Sequence, residues 1–404
     1  MARPSPSVPA TRLAGGEIYV RPTAPPRARV DADARPAVER LTDPPAFHRR
    51  LPGYRATPLR RAVAAERRLG VGRLWVKDES QRLGLPAFKM LGVSWALYRT
   101  LSERLGQEPE GWRDLDDLAR AFALLRPLSL VCATDGNHGR AVARMARLLG
   151  LEARVFVPEN TVATRVDAIA AEGATVTVVA GTYDEAVSRA AEESDRPGAL
   201  LASDTSWPGY EEFPRRVIEG YATIFAEIED EMAADGARAP DVVAVQIGVG
   251  ALATAVVDWY GARPGGAAGI IGVEPTRAAC VLESLRAGEI VHLEGGQDSI
   301  MAGLNCGTPS LLAWPVLAGG LAACVAIDDD RARAAVRLLA ADGVESGESG
   351  AAGLGGLLEI VEGPLEQRTG LGLEPGASVL VISTEGPTDP AAWEAIVGRR
   401  PACA

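Results

Sequence analysis

The sequence predicts an α/β protein built on parallel sheets with helices packed on both faces. From Leu51 onward, short β-branched runs alternate with helical stretches rich in Ala, Leu and Arg. A strand–helix–strand repeat requires right-handed crossovers, which make the sheets parallel and cover both faces. The 404 residues are 47% hydrophobic and 24% charged, which suffices for a sizeable core and for two or three domains.

Taken in chain order, residues 1–45 are rich in Pro, Arg and Ala, with Pro25-Pro26 and Pro44-Pro45, and show little periodicity. They read as an extended arm. Strands are expected over 73–77, 128–133, 153–157, 175–179, 242–246, 270–273, 324–327 and 378–383. Each is a short apolar or β-branched run of strand length. Helical patterns fill the intervals at 88–105, 138–149, 162–171, 183–193, 215–232, 251–260, 329–339 and 351–361. In such sheets ligands bind beyond the carboxyl ends of the strands, so chemistry is sought in the loops that follow them.

Composition excludes several classes. With 42 Lys+Arg against 53 Asp+Glu, the formal charge of −11 argues against a nucleic-acid partner. No apolar run reaches the roughly 18–20 residues of a membrane span, and Met1 to Val20 lacks a secretory apolar region. Cys132, Cys280, Cys306, Cys324 and Cys403 lack CxxC spacing, which fits a reduced compartment, no zinc site and a cytoplasmic protein. His48 and His292 have no partner at metal-ligand spacing, so no metal is expected.

Four post-strand loops could carry chemistry. In Ala87-Phe88-Lys89-Met90, Lys89 sits near a helix N-terminus, where the helix dipole disfavours a positive charge. That placement lowers the amine pKa and suits a Schiff base to an aldehyde, although a solvated surface lysine also fits. In Thr134-Asp135-Gly136-Asn137-His138-Gly139, two glycines let the backbone turn tightly against a flat ligand and Asn137 offers donor and acceptor. A plain helix cap reads the same residues, and His138 reads as structural. Gly248-Val249-Gly250-Ala251-Leu252 opens a helix, an arrangement that binds anions, but it is neither a Walker motif nor a full dinucleotide fingerprint. Finally, Ser383-Thr384-Glu385-Gly386 ends the last strand, where a hydroxyl can bond a neutral ring nitrogen and an ordinary turn is the alternative.

Together, and in this order, the four loops resemble the pyridoxal-phosphate enzymes of the tryptophan-synthase-β fold (fold type II) over roughly residues 50–395. The resemblance implies two three-layer αβα domains with the site between them. The larger, cofactor-binding domain would comprise 46–90 plus 205–404, and the smaller α/β domain 91–204. It implies pyridoxal 5'-phosphate joined to Lys89 as the internal aldimine, with Phe88 beside it and Asn137 on the ring oxygen. Gly248, Val249, Gly250, Ala251 and Leu252 would cradle the phosphate, and Ser383, with Thr384 next to it, would face the pyridine nitrogen.

A finer resemblance, to the diaminopropionate ammonia-lyases, rests on longer stretches. These are Lys77-Asp78-Glu79-Ser80, Thr134 to Arg140, Asp204-Thr205-Ser206-Trp207-Pro208-Gly209-Tyr210, Met301-Ala302-Gly303-Leu304, Ser346-Gly347-Glu348-Ser349-Gly350 and Ser383 to Gly386. Dehydratases that expel hydroxide usually carry Ser where this chain has Asp135. A carboxylate there would attract a substrate's β-ammonium and could accept the α-proton. The resemblance implies two opposed bases, Asp135 for a D-substrate and Asp204 for an L-substrate; Asp204 also fits a mere cap. Ser80, Thr134, His138, Tyr210, Met301 and Glu348 would meet the substrate, although Tyr210 and Trp207 also read as core and Glu348 as a plain loop acid. Cys280 and Cys306 fall near the site mouth, as a reversible disulfide or as two buried thiols. Val249, Ala251 and Thr254 make the phosphate loop glycine-poor, and Asn305 adds an amide nearby. Elimination from 2,3-diaminopropionate to pyruvate and two ammonia is the leading reading, with a homodimer as the family expectation. A β-replacement synthase, a hydroxy-amino-acid dehydratase and a catalytically silent cofactor-binding protein are the alternatives.

Overall fold

The computed structural model describes residues 11–13, 16–21, 43–261 and 268–402. Among the described residues, twelve strands form two sheets. In chain order they are β1 (Thr11–Arg12), β2 (Gly16–Val20), β3 (Leu59–Arg61), β4 (Arg73–Asp78), β5 (Ser129–Ala133), β6 (Glu152–Pro158), β7 (Thr175–Val179), β8 (Ala199–Leu201), β9 (Val242–Gln246), β10 (Gly269–Pro275), β11 (Ala323–Ile327) and β12 (Ser378–Ser383).

The larger sheet runs β1-β2-β11-β10-β9-β12-β4-β3, and the smaller runs β7-β6-β5-β8. From β11 to β4 all pairings are parallel, as they are throughout the smaller sheet. The central strands β5, β9, β11 and β12 are buried at every position. Their continuous apolar runs are therefore the mark of parallel strands covered on both faces. All eight expected strands are present.

Several boundaries differ from the expectation, each for a local reason. Within the stretch read as an arm, β2 pairs antiparallel with β11 and buries Ile18. Its one inward side chain is too short a period-2 signal to stand out among Pro and Arg. The rest of that stretch, apart from 11–13, 16–21 and 43–45, lies outside the described residues. The edge strand β3 escaped notice because it is three residues long and two of them are Arg60 and Arg61. The helix expected over 215–232 is two helices, Glu212–Gly220 and Ala222–Ala234, which meet at Tyr221. The helix expected from 351 begins at Glu348, so Glu348 belongs to a first helical turn and not to a loop.

Beneath β4 lies a buried charge network. Arg82 is fully buried and pairs with Glu79 (2.6 Å) and Glu227 (2.7 Å), while fully buried Lys77 pairs with Glu227 (2.9 Å) and Glu231 (2.8 Å). Thr57 donates its hydroxyl to Glu79 at 2.6 Å. Charges taken out of water survive only when paired, and breaking such a pair leaves an uncompensated ion. Arg82→Met is expected to lower the unfolding free energy by about 3–5 kcal/mol, read from urea-unfolding midpoints.

Candidate active site

The carboxyl ends of both sheets face one region, and the loops that leave them build a cavity. The segment after β4 is fastened to the segment after β12: Phe88 N donates to Thr384 O at 3.2 Å, and Ala87 bridges to Glu385. This fastening sets the start of the helix Lys89–Leu105 and puts the Lys89 amine into the cavity. Asp204, just beyond β8 of the smaller sheet, reaches it from the other side: Lys89 Nζ lies 2.5 Å from Asp204 Oδ2.

The titration of this pair differs from the sequence expectation for Lys89. Burial does favour the neutral amine, but the Asp204 carboxylate outweighs it and holds Lys89 above the usual lysine range. Burial likewise opposes ionisation of Asp204, yet His138 and Lys89 hold that carboxyl well below the usual range. Asp135 behaves in the opposite way. Burial pushes it up to about 6, with Arg165 and Lys89 resisting and Glu385 and Asp204 adding to the rise.

The loop after β5 is shaped by Thr134, whose hydroxyl accepts from Gly136 N (2.9 Å) and Gly139 N (3.0 Å). Arg165 packs under it, donating to Asp135 O at 3.3 Å and to Thr388 Oγ1 at 3.2 Å. Asn137 donates its amide to Glu385 Oε2, so a buried carboxylate fixes which way that amide faces. His138 bonds Ala202 O through Nε2 at 2.6 Å and brings Nδ1 within 3.6 Å of Asp204 Oδ2.

After β9, Gly248 to Leu252 line the cavity as expected. Gly250 has φ +104°, and a Cβ there would lie 2.8 Å from Ala313 Cβ, so only glycine fits. It precedes the helix Ala251–Tyr260, whose first backbone N–H groups have no intrahelical acceptor and can hold an anion.

After β12 the two hydroxyls part company. Ser383 is bonded to Ser346 at 2.8 Å and does not reach the cavity wall, whereas Thr384 does. Gln246 donates to Thr384 Oγ1 at 2.6 Å, which leaves the threonine proton free to donate onward. The period-2 alternation along the strand end decides between them.

The cavity, about 70 Å³, is lined by Phe88, Lys89, Thr134, Asp135, Asn137, His138, Asp204, Gly248 to Leu252 and Thr384. It is also lined by Tyr183, Gln246, Gly303, Leu304, Ser349 and Glu385, which the sequence reading missed as site residues. For Tyr183, Gln246 and Glu385 a signal existed, since each lies at or just beyond a strand's carboxyl end.

Ser80, Tyr210, Met301 and Glu348 are not at the wall. Tyr210 is stacked on Trp207 at 4.7 Å and donates to Leu201 O at 3.1 Å. Met301 is fully buried in the core of the larger sheet. Ser80 lies against Gly386. Glu348, in its helical first turn, is pushed up to about 7 by burial, with the nearby Glu385 charge adding to the rise. Cys132, Cys280, Cys306 and Cys324 are buried free thiols, Cys306 at the cavity wall; Cys403 lies outside the described residues. Among the described residues no cluster of three or more His, Cys, Asp or Glu could hold a metal, and no helix is long and apolar enough to cross a membrane.

Residues 50–385 match the family described as pyridoxal-phosphate dependent enzyme. The diaminopropionate ammonia-lyase of Salmonella typhimurium is 37% identical over 372 residues, covering 87% of this chain and 90% of the relative. This chain belongs to the diaminopropionate ammonia-lyase family. Two crystal structures of the Escherichia coli family member, one with D-serine and one with an aminoacrylate-PLP azomethine reaction intermediate, superpose with TM-scores of 0.80 and 0.78. Each is 35% identical and covers 88% of this chain and 90% of that one.

The site fits the family's cofactor on its own geometry. A glycine-only turn at a helix N-terminus suits a phosphate, an oriented amide suits a ring oxygen, and a free hydroxyl proton suits a ring nitrogen. The sequence holds only two lysines, Lys77 and Lys89, and Lys77 is sealed in the charge network. Lys89 is therefore the one lysine that can present an amine to the cavity. Gly250→Ala is expected to weaken pyridoxal-phosphate retention roughly tenfold through backbone strain, read as the cofactor concentration at half-maximal visible absorbance. In the same assay Thr384→Val should displace the visible band and Ser383→Ala should leave it in place.

Proposed function

We propose that this ammonia-lyase eliminates ammonia from 2,3-diaminopropionate, giving pyruvate and two ammonia per molecule of substrate and water. The observation that carries the reading is the pair of cavity carboxylates, Asp135 and Asp204, set in opposite titration states around Lys89. Pyridoxal phosphate, when bound, supplies an electron sink that acidifies the substrate's α-C–H.

The chain's own residues do the rest. Lys89 is the amine to which the cofactor aldehyde would be joined, with Asn137, Thr384 and the Gly248–Leu252 loop as its other holds. A substrate with a cationic β-amine is drawn to a cavity whose wall carries Asp135, Asp204 and Glu385. Asp135 accepts the α-proton of the D-isomer and Asp204 that of the L-isomer. The name of the Salmonella relative and the D-serine and aminoacrylate complexes of the Escherichia coli one support this substrate class.

Purified cofactor-loaded protein is expected to release pyruvate from diaminopropionate well above its release from L-serine. A spectral change without pyruvate would transfer the assignment to a β-replacement enzyme. Asp135→Asn should cut D-isomer turnover by roughly 10²–10⁴ while sparing the visible cofactor band. Because Asp135 accepts a proton only when ionised and sits at about 6, kcat/KM for the D-isomer should fall as pH drops below about 6.

A further inference from the structure

We propose that His138 is the proton acceptor behind Asp204: its Nδ1 takes from Asp204 Oδ2 the proton that the carboxylate removes from the substrate's α-carbon. The proposal rests on Asp204 being the base for the L-isomer, as set out above.

The hydrogen bonds of the buried His138 ring fix its tautomer. Nε2 lies 2.6 Å from Ala202 O, and a carbonyl only accepts, so Nε2 carries a hydrogen. The ring is 3% exposed and burial disfavours its charged form, so the other nitrogen is a bare lone pair. That Nδ1 atom is buried without a hydrogen-bond partner. It faces Asp204 Oδ2 at 3.6 Å, beyond hydrogen-bonding range.

Acceptor therefore faces acceptor in a site shielded from water, an arrangement that costs free energy as it stands. Asp204 Oδ2 already accepts from Lys89 Nζ, so it is Nδ1 that lacks a partner, and a proton arriving on Asp204 supplies one. The unpartnered nitrogen is thus explained by a state in which Asp204 has gained a proton.

The balance closes on named atoms. The substrate's α-C–H breaks, its electron pair stays on carbon, and an O–H forms at Asp204 Oδ2. That O–H then breaks, an N–H forms at His138 Nδ1, and the Asp204 carboxylate is restored beside an imidazolium. When the β-C–N bond breaks with its electron pair going to nitrogen, the cationic amine leaves as ammonia, and the proton, returned through Asp204, converts that ammonia to ammonium.

The other groups facing the pair do not compete for this proton. Burial keeps the Cys132 thiol and the Tyr183, Tyr210 and Tyr221 phenols protonated. Lys89 and Asp135 remain as the charged neighbours.

The test uses the cofactor-loaded enzyme and two readouts. His138→Gln keeps an amide N–H to serve Ala202 O but removes the basic nitrogen. It should lower the L-to-D turnover ratio at least tenfold and move the acidic limb of the L-isomer pH profile. Nitrogen-15 NMR of histidine in the parent protein, assigned by loss of the signal in that variant, should show the Nε2–H tautomer. An unmoved L-profile in a folded His138→Gln enzyme, or an Nδ1–H tautomer in the parent, overturns the relay; if the variant does not fold, the parent spectrum decides, with the signal assigned by difference from His48 and His292. Asp204→Asn separates the two readings. If L-turnover persists there, the base assignment itself is wrong and the relay falls with it. If it is lost while the His138 readouts stay unchanged, the relay alone is wrong.

Discussion

The Lys89–Asp204 ion pair joins the two sheets at the wall of the cavity between them. Lys89 begins the helix that follows β4 of the larger sheet, and Asp204 follows β8 of the smaller one. Parallel sheets place such residues together, because all their post-strand loops leave from the same end. A buried charge needs its partner, so each member of the pair fixes the other's position and titration. His138, Asp135 and Tyr221 all respond electrostatically to this pair.

Around that pair the site is asymmetric in a useful way. The charged form of Asp204 is held by the Lys89 cation in contact with it, whereas Asp135 is left mainly to burial. Two carboxylates of one cavity thereby acquire different basicities, the usual means by which neighbouring groups take different roles. The supporting parts are fixed elsewhere: Arg165 holds the Asp135 loop against Thr388, and Glu385 holds Asn137. The charge network beneath β4 keeps Lys77 out of reach of the cavity.

What could be read before folding was whatever follows from local pattern. Eight strands announced themselves by continuous β-branched runs, and the loops after four of them contained the lysine, the amide, the glycine turn and the hydroxyls. What could not be read needed long-range geometry. Whether Ser383 or Thr384 faces the cavity depends on strand register, and Ser346, which engages Ser383, is 37 residues away. The pKa of Lys89 was read from its own helix end, but it is set by Asp204, 115 residues on. Tyr210 and Met301 lie in motif-rich stretches, yet their apolar bulk takes them into packing. The short strand β2 was hidden because its pairing partner in the body of the sheet, β11, lies roughly 300 residues away.

Lys89, and no other amine of the chain, is the group proposed to receive the cofactor. Borohydride reduction of the yellow protein followed by peptide mass mapping tests it directly. A pyridoxyl-phosphate adduct on the Lys89 peptide, with Lys77 unmodified, is the expected result. Label on Lys77 or on the N-terminal amine, or a reduced protein that carries no adduct at all, would contradict it.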